Sequence, residues 1–403
     1  MMRHYDVVVV GAGITGLTMA ALLATSRHPD RLRVTLVDQG ERPVHDADDE
    51  VALRVSSIAT GSVESIDALG AWTLVADIRV CPYERMRVWD RSQPADGPAT
   101  LRFDAADFAL PQLGFIVENS LLQQALLDVL DKTDVELRFA APITDLESKW
   151  SGYRLTFEDG YSLYADLVIG ADGARSLVRD RVGIETSAWS YDQTALVTHV
   201  RPEQSHQRTA WQRFLKEGPL GMLPLADGRV SVVWTTTDAA ARHALSATDR
   251  VLSRELTAAS DSVLGELRVA GPRGVFSLQA RHAQQYVKSS VALIGDAAHS
   301  VHPLAGQGAN LGLQDAVKLA DIIDSALDNG ESPADRPVLR RYERARKGAN
   351  TTMLHFLTGL NRLFANDSVL VRELRTTGMR LFNHSGPIRN HAVKVALGMS
   401  ARR

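Results

Sequence analysis

Residues 5–38, YDVVVVGAGITGLTMAALLATSRHPDRLRVTLVD, decide the fold class of this 403-residue chain. The run Tyr5–Val10 places β-branched residues on both faces, as is typical of a strand buried on both sides of a parallel sheet. Three glycines follow at once, and residues 17–23 then have the apolar spacing of a packed helix. A second predicted strand, Arg33–Asp38, ends on a carboxylate. This order predicts the β–α–β unit of an α/β fold.

Gly11, Gly13 and Gly16 have the G-x-G-x-x-G spacing of a dinucleotide-binding turn. In such a turn the first glycine permits the tight bend, the second lets the backbone approach a pyrophosphate, and the third lets the helix pack on the strand. The helix N-terminus offers free N–H groups to the phosphates. Asp38, 22 residues after Gly16, is placed to accept hydrogen bonds from an adenosine ribose. Three structural glycines in an unrelated turn are the alternative, but strand, helix and acid all favour NAD or FAD.

A second group of motifs near the C-terminus favours FAD over NAD. The predicted buried strand Val291–Ile294 leads into Gly295-Asp296, and the run Pro303–Asn310 opens a further helix. Asp296 is placed to bind the hydroxyl groups of a ribityl chain, and the backbone of Gly306–Asn310 is placed against the pyrimidine end of an isoalloxazine. A helix N-terminus there stabilises the negative charge of reduced flavin, typically by about 0.3–1 kcal/mol. A flexible loop is the alternative for these glycines taken alone.

The middle of the chain predicts a separate antiparallel sheet. Alternating strands run from Ala195 to Thr237, and Asp227-Gly228 supplies a tight turn between two of them. Another hairpin is predicted around Asp159-Gly160, and a buried strand, Leu167–Ile169, follows it. Proline and alternating aspartates over Thr100–Leu113 predict a loop.

Composition and charge exclude several classes of function. The net charge of −3 argues against a general nucleic-acid binder. Cys81 is the single cysteine, which excludes an intramolecular disulfide, a Cys-based zinc site and a Cys-ligated iron–sulfur cluster, and fits a reducing compartment. No metal cluster and no G-x-S-x-G elbow are evident, so neither a metal nor a catalytic triad is predicted. No run approaches eighteen apolar residues, and Val7–Val10 is too short for a signal-peptide core, so the expected location is the cytoplasm.

The C-terminal segment differs in charge from the rest of the chain. Residues 351–403 contain eight Lys and Arg against two Asp and Glu, a net charge of +6, which leaves −9 on residues 1–350. Helical apolar spacing from Met353 onward accompanies cations at Arg362, Arg372, Arg375, Arg380, Arg389 and Lys394. Two interpretations stay open: peripheral contact with the anionic inner face of a membrane, or a helical cap with a solvated basic face.

Together these motifs resemble those of the single-component FAD-dependent aromatic hydroxylases, and most closely those of the ubiquinone-biosynthesis ring hydroxylases. The resemblance spans nearly the whole chain and is carried by Gly11–Gly16, Arg54–Ser56, Leu69–Trp72, Gly114–Asn119, Gly170–Ser176, Gly218-Pro219, Leu223–Leu225, Gly295–His299, Pro303–Asn310, Tyr342-Glu343 and Arg346. It implies a p-hydroxybenzoate-hydroxylase-like α/β fold: a Rossmann-like FAD-binding domain, an inserted antiparallel-sheet substrate domain and a helical C-terminal tail. The expected boundaries are 1–75, 101–185 and 280–345 for the FAD-binding domain, 76–100 and 186–279 for the substrate domain, and 346–403 for the tail.

The resemblance also implies which residues bind FAD. The glycine turn and Asp38 would hold the AMP half, Asp296 would bind the ribityl chain, and Asp172 with Gly173 belongs to a motif linked to FAD binding and NAD(P)H use. The full expected set is Gly11, Gly13, Gly16, Asp38, Arg54, Asn119, Gln123, Asp172, Gly173, Gly295, Asp296, Gly306, Gln307, Gly308, Ala309 and Asn310.

The catalytic positions that the resemblance implies are Pro303 and Gly306, whose backbone would position the flavin; no side-chain base is assigned. His299 is either a catalytic base or a hydrogen-bonded structural histidine. In the implied reaction NAD(P)H reduces FAD, O₂ adds at flavin C4a, and the resulting hydroperoxide transfers one oxygen to an electron-rich phenol ring. Water must be kept out, because the hydroperoxide otherwise decays to H₂O₂.

The substrate site is expected on the antiparallel region, over the reactive face of the flavin. Its apolar positions are either pocket wall or plain core: Phe214, Leu223, Leu225, Val233 and Trp234. Three functions stay open: hydroxylation of a polyprenylated phenol in ubiquinone biosynthesis, hydroxylation of a soluble aromatic compound, and a non-catalytic flavin-fold scaffold in a biosynthetic complex. A soluble aromatic acid would require an arginine in the pocket, and the intact flavin motifs argue against the scaffold. A small phenol and O₂ are the expected partners, with a homo-oligomer or a biosynthetic complex left open and no nucleic acid expected.

Overall fold

The predicted β–α–β unit begins the chain. In the computed structural model, strand β1 (Tyr5–Val10), helix α1 (Ile14–Ala24) and strand β2 (Leu32–Val37) follow one another, with a 3-10 turn just before β2. Strand β1 pairs in parallel with β2, as expected for this unit. The structure describes residues 4–46, 48–302 and 306–398, and the backbone alone at position 307.

Eighteen further strands and ten further helices follow along the described chain. The further strands are β3 (Val55–Ala59), β4 (Cys81–Tyr83), β5 (Arg85–Asp90), β6 (Leu101–Asp104), β7 (Gly114–Glu118), β8 (Glu136–Arg138), β9 (Ile143–Lys149), β10 (Gly152–Phe157), β11 (Ser162–Ala165), β12 (Leu167–Gly170), β13 (Thr186–Pro202), β14 (Thr209–Phe214), β15 (Pro219–Pro224), β16 (Val230–Thr236), β17 (Leu267–Ala283), β18 (Val287–Lys288), β19 (Val291–Leu293) and β20 (His299–Ser300). The further helices are α2 (Thr60–Ala68), α3 (Ala71–Ala76), α4 (Asn119–Leu130), α5 (Leu177–Arg181), α6 (Asp238–Ser246), α7 (Asp249–Ala259), α8 (Gln307–Asp328), α9 (Arg336–Ala365), α10 (Val369–His384) and α11 (Pro387–Ala396). The predicted α/β class is confirmed.

The first large sheet brings the predicted motifs to one edge. Its order is β18-β19-β12-β1-β2-β8, and the neighbours from β19 to β8 are parallel. Because parallel strands end at the same edge, the loops after β1, β12 and β19 meet there. The register shows this directly, since Val10 lies opposite Gly170 and Gly170 lies opposite Leu293. The three glycine-containing motifs therefore adjoin, although they are far apart in the sequence.

The second large sheet is the antiparallel one predicted from the middle of the chain. Its order is β20-β17-β13-β16-β15-β14-β5-β6, and β14 with β5 is a parallel pair in an otherwise antiparallel ladder. Alternation along the strands sends Met222 and Val232 into the core beneath α6 and α7. Leu223 and Val233 point to the opposite face, where a cavity lies. The turn at Asp227-Gly228 joins β15 to β16, and Gly228 has the positive φ of +83° that this turn requires.

Two three-stranded sheets complete the described β structure. One has the order β3-β7-β4, and the other has the order β11-β10-β9. The second contains the predicted hairpin at Asp159-Gly160, where Gly160 has a φ of +82°. The hairpin prediction is confirmed.

The prediction of a loop over Thr100–Leu113 is wrong. Residues 101–104 form the edge strand β6, which pairs antiparallel with β5, and a 3-10 turn covers Ala105–Phe108. Arg87 Nη2 of β5 donates a hydrogen bond to Asp104 Oδ1 at 2.7 Å. An aspartate that suggested a loop is thus a cross-strand partner, and that pairing is not visible in the local sequence.

The C-terminal helices fold back on the body of the molecule. Arg375 of α10 forms an ion pair with Asp90 at the end of β5, with Nη2 and Oδ2 2.7 Å apart and both side chains 2% exposed. The outer faces of α10 and α11 leave apolar side chains exposed, among them Leu370, Leu374 and Ile388. Across the described ranges, no helix combines the length and the hydropathy that a bilayer span requires.

Candidate active site

A cavity of about 930 Å³ lies between the loop edge of the first large sheet and one face of the second. We call it the main cavity. Its loop wall consists of Gly13, Ile14, Thr15, residues 52–57, Asn119, Ser120, Gln123, Ala171, Gly173, Ala174, Asp296, Gly306, Gly308 and Ala309. Its sheet wall consists of Met86, Ala210, Trp211, Gln212, Gly221, Leu223 and Val233, and Tyr83 and Val301 lie between the two walls.

A smaller cavity of about 300 Å³ adjoins the main cavity at the glycine turn. Gly13, Ala171 and Gly173 line both cavities, so the two are neighbours. Asp38 and Asp172 face the smaller cavity. The pair of cavities provides an elongated groove along the edge of the first sheet, which suits an extended ligand.

The glycine turn is shaped by close backbone contacts on one side and open space on the other. A Cβ added at Gly11, which has a φ of +109°, would lie 2.5 Å from Ala171 O. A Cβ at Gly16 would lie 1.8 Å from Gly11 O, so both positions exclude a side chain. At Gly13 an added Cβ would meet nothing within 4 Å. The backbone at Gly13 therefore faces an open cradle, as the approach of a pyrophosphate requires.

Asp38 and Gln123 hold the turn in place through its backbone. Asp38 Oδ2 accepts a hydrogen bond from the Ala12 N–H at 2.6 Å, and Oδ1 accepts one from the Gly40 N–H at 2.7 Å. Gln123 Nε2 donates to Ala12 O at 2.9 Å. Each carboxylate oxygen has a further lone pair, so Asp38 can still accept a hydrogen bond from a ligand in the smaller cavity.

Two charged side chains, Arg54 and Asp296, lie on the described walls of the main cavity. The guanidinium of Arg54 is exposed towards the cavity, 5.9 Å from the centre of the Phe276 ring, and forms no ion pair with any described residue. Asp296 also opens towards the cavity, in a 3-10 turn at the end of β19. The surrounding protein shields its carboxyl from bulk water and raises the pKa of Asp296, while His299 and Arg54 partly counteract this effect.

Asp172 has one carboxylate oxygen without a donor. Its Oδ2 accepts a hydrogen bond from the Val178 N–H at 3.0 Å, at the start of α5. Its Oδ1 is buried and has no hydrogen-bond partner in the part of the chain that the structure describes. Burial raises the pKa of Asp172. Buried acceptors are normally satisfied, so a donor from a ligand is expected here.

The N-terminus of α8 meets strand β3 at the floor of the loop wall. Gly306 caps the helix with a φ of +62°, and a Cβ there would lie 2.8 Å from Ser57 Cβ. The Asn310 amide is directed at β3 rather than at the cavity: Nδ2 donates to Ser57 O at 2.8 Å and Oδ1 accepts from the Ala59 N–H at 2.8 Å. Pro303 lies outside the described residues, and so does the side chain of Gln307.

A buried polar cluster lies behind the turn that carries Asp296. Asp315 Oδ1 accepts hydrogen bonds from Arg346 Nε at 2.7 Å and Asn350 Nδ2 at 3.1 Å. Its Oδ2 accepts from the Gly295 N–H at 3.1 Å and lies 2.5 Å from His299 Nε2. His299 is 2% exposed and does not line the main cavity, which is the arrangement of a structural histidine. Sequence reasoning missed Asp315 and Asn350, because neither belongs to a glycine motif.

The structure divides the five apolar positions proposed as pocket wall or core. Leu223 and Val233 line the sheet wall. The other three lie in hydrophobic clusters: Phe214 stacks on Phe364 with ring centres 3.7 Å apart, Leu225 is buried in the cluster with Cys81, and Trp234 packs beside Trp89 and Leu220. Sequence reasoning missed Tyr83, Met86 and Gln212.

The expected cofactor residues line the two cavities, with four exceptions. Gly11, Gly13, Asp38, Asp172 and Gly173 line the smaller cavity, and Arg54, Asn119, Gln123, Asp296, Gly306, Gly308 and Ala309 line the main cavity together with Gly13 and Gly173. Gly16, Gly295 and Asn310 support these walls from behind, and the side chain of Gln307 is not described. The open cradle at Gly13, the Arg54 guanidinium without an ion pair among the described residues and the Asp172 Oδ1 atom without a described donor fit an extended anionic nucleotide.

Comparison with known proteins agrees with this geometry. A family model described as "FAD binding domain" matches residues 4–356. The chain is 36% identical over 395 residues to the 3-demethoxyubiquinol 3-hydroxylase of Escherichia coli, with 98% of each chain covered. It is 34% identical over 440 residues to the human mitochondrial ubiquinone biosynthesis monooxygenase COQ6, covering 97% of this chain and 92% of the relative. It is 35% identical over 394 residues to the ubiquinone hydroxylase UbiL of Rhodospirillum rubrum, covering 98% and 89%.

Solved structures share the fold. The p-nitrophenol 4-monooxygenase PnpA of Pseudomonas putida aligns over 100% of both chains with a TM-score of 0.78 and 18% identity. HpxO of Klebsiella pneumoniae, complexed with FAD and uric acid, aligns over 100% of this chain and 98% of that chain with a TM-score of 0.77 and 19% identity. The resemblance drawn from the sequence motifs is confirmed, and FAD is the cofactor. The chain therefore belongs to the FAD binding domain family, among its FAD-dependent monooxygenases.

Proposed function

We propose that this protein hydroxylates the aromatic ring of a polyprenylphenol in ubiquinone biosynthesis, with FAD as cofactor, NAD(P)H as reductant and O₂ as oxygen source. The observation that carries the proposal is the main cavity, in which a wall of nucleotide-binding motifs faces a wall without charged side chains among the described residues. Relatives named for ubiquinone hydroxylation match nearly the whole chain, which supports the choice of pathway.

When bound, FAD supplies the redox chemistry that activates O₂ for ring hydroxylation. We assign its AMP half to the glycine turn and Asp38, beside the smaller cavity. The remaining assignments are Arg54, Asn119, Gln123, Gly295 and Asp296 for the pyrophosphate and ribityl chain, Asp172 and Gly173 for the motif shared with NAD(P)H use, and Pro303, Gly306, Gln307, Gly308, Ala309 and Asn310 for the ring system.

The residues of the chain have three tasks in this function. Arg54, which has no ion pair among the described residues, would balance the charge of the pyrophosphate. The N-terminal N–H groups of α8 stabilise negative charge on the reduced cofactor, with Gly306 and Pro303 as the backbone that positions it. The apolar sheet wall keeps water from the reacting ring, which prevents unproductive consumption of NAD(P)H.

A hydroxylase of a soluble aromatic acid is the second candidate function. It would need a cation to bind the substrate carboxylate. Arg54 is the cation on the described walls of the main cavity, and it lies on the loop wall beside the cofactor residues. The sheet wall thus favours a neutral ring, and the neutral polyprenylphenol is the better supported substrate.

We propose the following division of labour within the fold. Residues 1–75, 101–185 and 280–345 hold FAD, residues 76–100 and 186–279 hold the substrate, and residues 346–403 form the helical tail. Two hydrophobic clusters support the main part of this division, because one surrounds the first large sheet and another lies between the second sheet and α6 and α7. Two boundaries depart from the elements, since β6 (Leu101–Asp104) belongs to the second sheet and α9 (Arg336–Ala365) continues across residues 345 and 346.

We also propose that the tail contacts an anionic membrane, where a polyprenylated substrate resides. Helix α10 exposes Leu370, Leu374 and Leu381 at helical spacing, each more than 60% exposed. Arg380 and Lys394 are exposed in the same segment and form no ion pair with a described residue. An apolar face with nearby cations suits the surface of an anionic bilayer. A homo-oligomer or a biosynthetic complex would be the alternative use of this face.

The function is tested with purified protein reconstituted with FAD. A short-chain prenylphenol should stimulate NAD(P)H oxidation, and isotopically labelled O₂ should place its label in a hydroxylated product detected by mass spectrometry. Conversion of hydroxybenzoates alone would favour the soluble-acid hydroxylase, and protein without flavin absorbance after FAD addition would favour the scaffold. The intermediate that accumulates in a strain without the gene then identifies the ring carbon.

A further inference from the structure

Gln212 is a polar side chain on the otherwise apolar middle of the sheet wall. It lies in β14, opposite Gly221 of β15 and Val88 of β5. Gly221 in turn lies opposite Val233 of β16, so these residues form one cross-strand row. Gln212, Gly221 and Val233 all line the main cavity. The carboxamide therefore belongs to the surface on which the substrate ring would rest.

The carboxamide of Gln212 opens onto the main cavity and forms no hydrogen bond with a described residue. The residue is 8% exposed. Two other polar side chains of the cavity have partners: the Tyr83 hydroxyl accepts a hydrogen bond from Ser57 Oγ at 3.1 Å, and the Gln123 amide donates to Ala12 O at 2.9 Å. Polar side-chain atoms that line a cavity are normally hydrogen-bonded to protein or to water, so a partner from solvent or from a ligand is expected at this amide. Gln212 is thus available to a molecule that enters the cavity.

The surroundings of Gln212 define the chemistry of that molecule. Met86, Ala210 and Leu223 share the sheet wall with it. A Cβ built at Gly221 would find its nearest neighbour, Val233 O, at 3.7 Å, so the glycine leaves room for a ring beside the amide. A carboxamide both donates and accepts, so it pairs with a hydroxyl, methoxyl or carbonyl oxygen. An arginine is the usual partner of a carboxylate, and none lies on this wall.

We propose that Gln212 is a specificity-determining residue whose carboxamide hydrogen-bonds a neutral ring oxygen of the substrate. This contact orients the ring against the sheet wall, with its apolar substituents on Met86, Leu223 and Val233. The inference rests on the proposed function, because it requires an oxygenated aromatic ring in the main cavity. It goes beyond that function by naming the residue that recognises the ring oxygen of the substrate.

The test compares two probes with the FAD-loaded wild-type and Gln212→Leu proteins. The probes are a dimethylallyl phenol and the matching dimethylallyl benzene, which lacks the ring oxygen. Dissociation constants are measured from the change in flavin absorbance on titration. Gln204→Leu is the matched control, because Gln204 follows β13 on the exposed surface and does not line the cavity. Gln212→Met serves as a second variant of similar size if the leucine variant fails to retain FAD.

We expect the Gln212 variants to bind the phenol about threefold to tenfold more weakly, the effect of one neutral hydrogen bond. Their affinity for the benzene should stay within about twofold of wild type, so that the loss depends on the ring oxygen. Equal loss for both probes, or no loss for either, would overturn the role of Gln212. A wild-type protein that binds and hydroxylates no prenylphenol would overturn the proposed function itself, and the inference with it.

Discussion

Asp315 is the residue that holds the Gly295–Ala297 turn against helix α8. Its carboxylate is fully buried and is surrounded by donors from His299, Arg346 and Asn350. Burial raises its pKa, but the charges of His299 and Arg346 outweigh this effect and lower the pKa of Asp315 to about 2. We expect Asp315→Asn to lower the free energy of unfolding by about 3–5 kcal/mol, because Arg346 loses its buried counter-charge.

Urea unfolding and the ratio of flavin to protein measure this change. Asp321→Asn is the matched control: it changes an exposed aspartate on the same helix and should cost less than about 0.5 kcal/mol. If Asp315→Asn unfolds at the same urea concentration as the control, the cluster does not contribute to stability.

His302 makes the folding stability depend on pH. It is 1% exposed, and burial lowers its pKa from the ordinary 6.5 to about 4. Between these values the unfolded chain binds a proton at His302 and the folded chain does not. Stability therefore falls as the pH falls from about 6.5 to about 4. Through His302, the wild type should lose about 2 kcal/mol of unfolding free energy between pH 7 and pH 5. We expect His302→Gln not to show this loss.

The measurement is urea unfolding of wild type and His302→Gln at several pH values across this window. The slopes are compared, since the substitution can also change stability at all pH values. His282, whose pKa is likewise lowered to about 4, mainly through burial, retains its contribution in both proteins. Identical slopes for the two proteins would show that His302 is protonated in the folded state or is accessible to water.

At the scale of elements, the glycines in the turn between β1 and α1 have two different roles. Gly13 has a φ of −68°, which alanine adopts readily, and an added Cβ would meet nothing within 4 Å. We expect Gly13→Ala to fold normally but to bind FAD at least about tenfold more weakly, about 1.4 kcal/mol, because the methyl group occupies the cradle. Gly11→Ala should instead impair folding, since its Cβ would lie 2.5 Å from Ala171 O at a φ of +109°.

Thermal unfolding of the FAD-free proteins and titration with FAD distinguish these two effects. The prediction for Gly13 requires a melting temperature close to that of wild type together with weaker binding. An unchanged FAD affinity in Gly13→Ala would mean that the cofactor does not approach this part of the turn.

Elements defined by local sequence signals were predictable, and elements defined by distant partners were not. Strand β1 was predicted with its observed ends, Tyr5–Val10, because a β-branched run before a glycine turn is a local signal. Strand β6 was missed, because its pairing with β5 and its Arg87–Asp104 bond join separate segments. The buried cluster around Asp315 was missed for the same reason. Its partner Asn350 is 35 residues away and belongs to another helix.

At the scale of the whole molecule, the sheet order explains how motifs that are far apart in the sequence come to line one cavity. Strand β12 lies between β1 and β19 and pairs in parallel with each. The motifs after these strands thus share one edge, and the second sheet covers it from the opposite side of the main cavity. The motif residues could be predicted from the sequence. The sheet wall could not be, because strand alternation alone does not tell which face of the second sheet meets the cavity.

The packing of the C-terminal helices determines which basic side chains of the tail are exposed at the surface. Arg375 and Arg389 are neutralised by Asp90 and Asp107, and these pairs attach the tail to the body. Arg380 and Lys394 have no ion pair with a described residue and stay exposed. The cations available to an external partner are therefore fewer than the sequence alone suggests, and Arg380 shares helix α10 with the exposed leucines.

We expect the double variant Arg380→Glu, Lys394→Glu to reduce binding to anionic liposomes by at least about tenfold, since each cation near such a surface contributes about 1 kcal/mol. Flotation with liposomes that contain an acidic phospholipid measures this, and added salt should weaken wild-type binding as well. Arg250→Glu, Arg254→Glu is the matched control, because it makes the same change in net charge on the exposed face of α7. Equal flotation of both variants, or none for wild type at low salt, would refute membrane contact by the tail.

A Leu374→Asp variant with a smaller molecular mass in solution than wild type would instead assign the apolar face to a second copy of the chain.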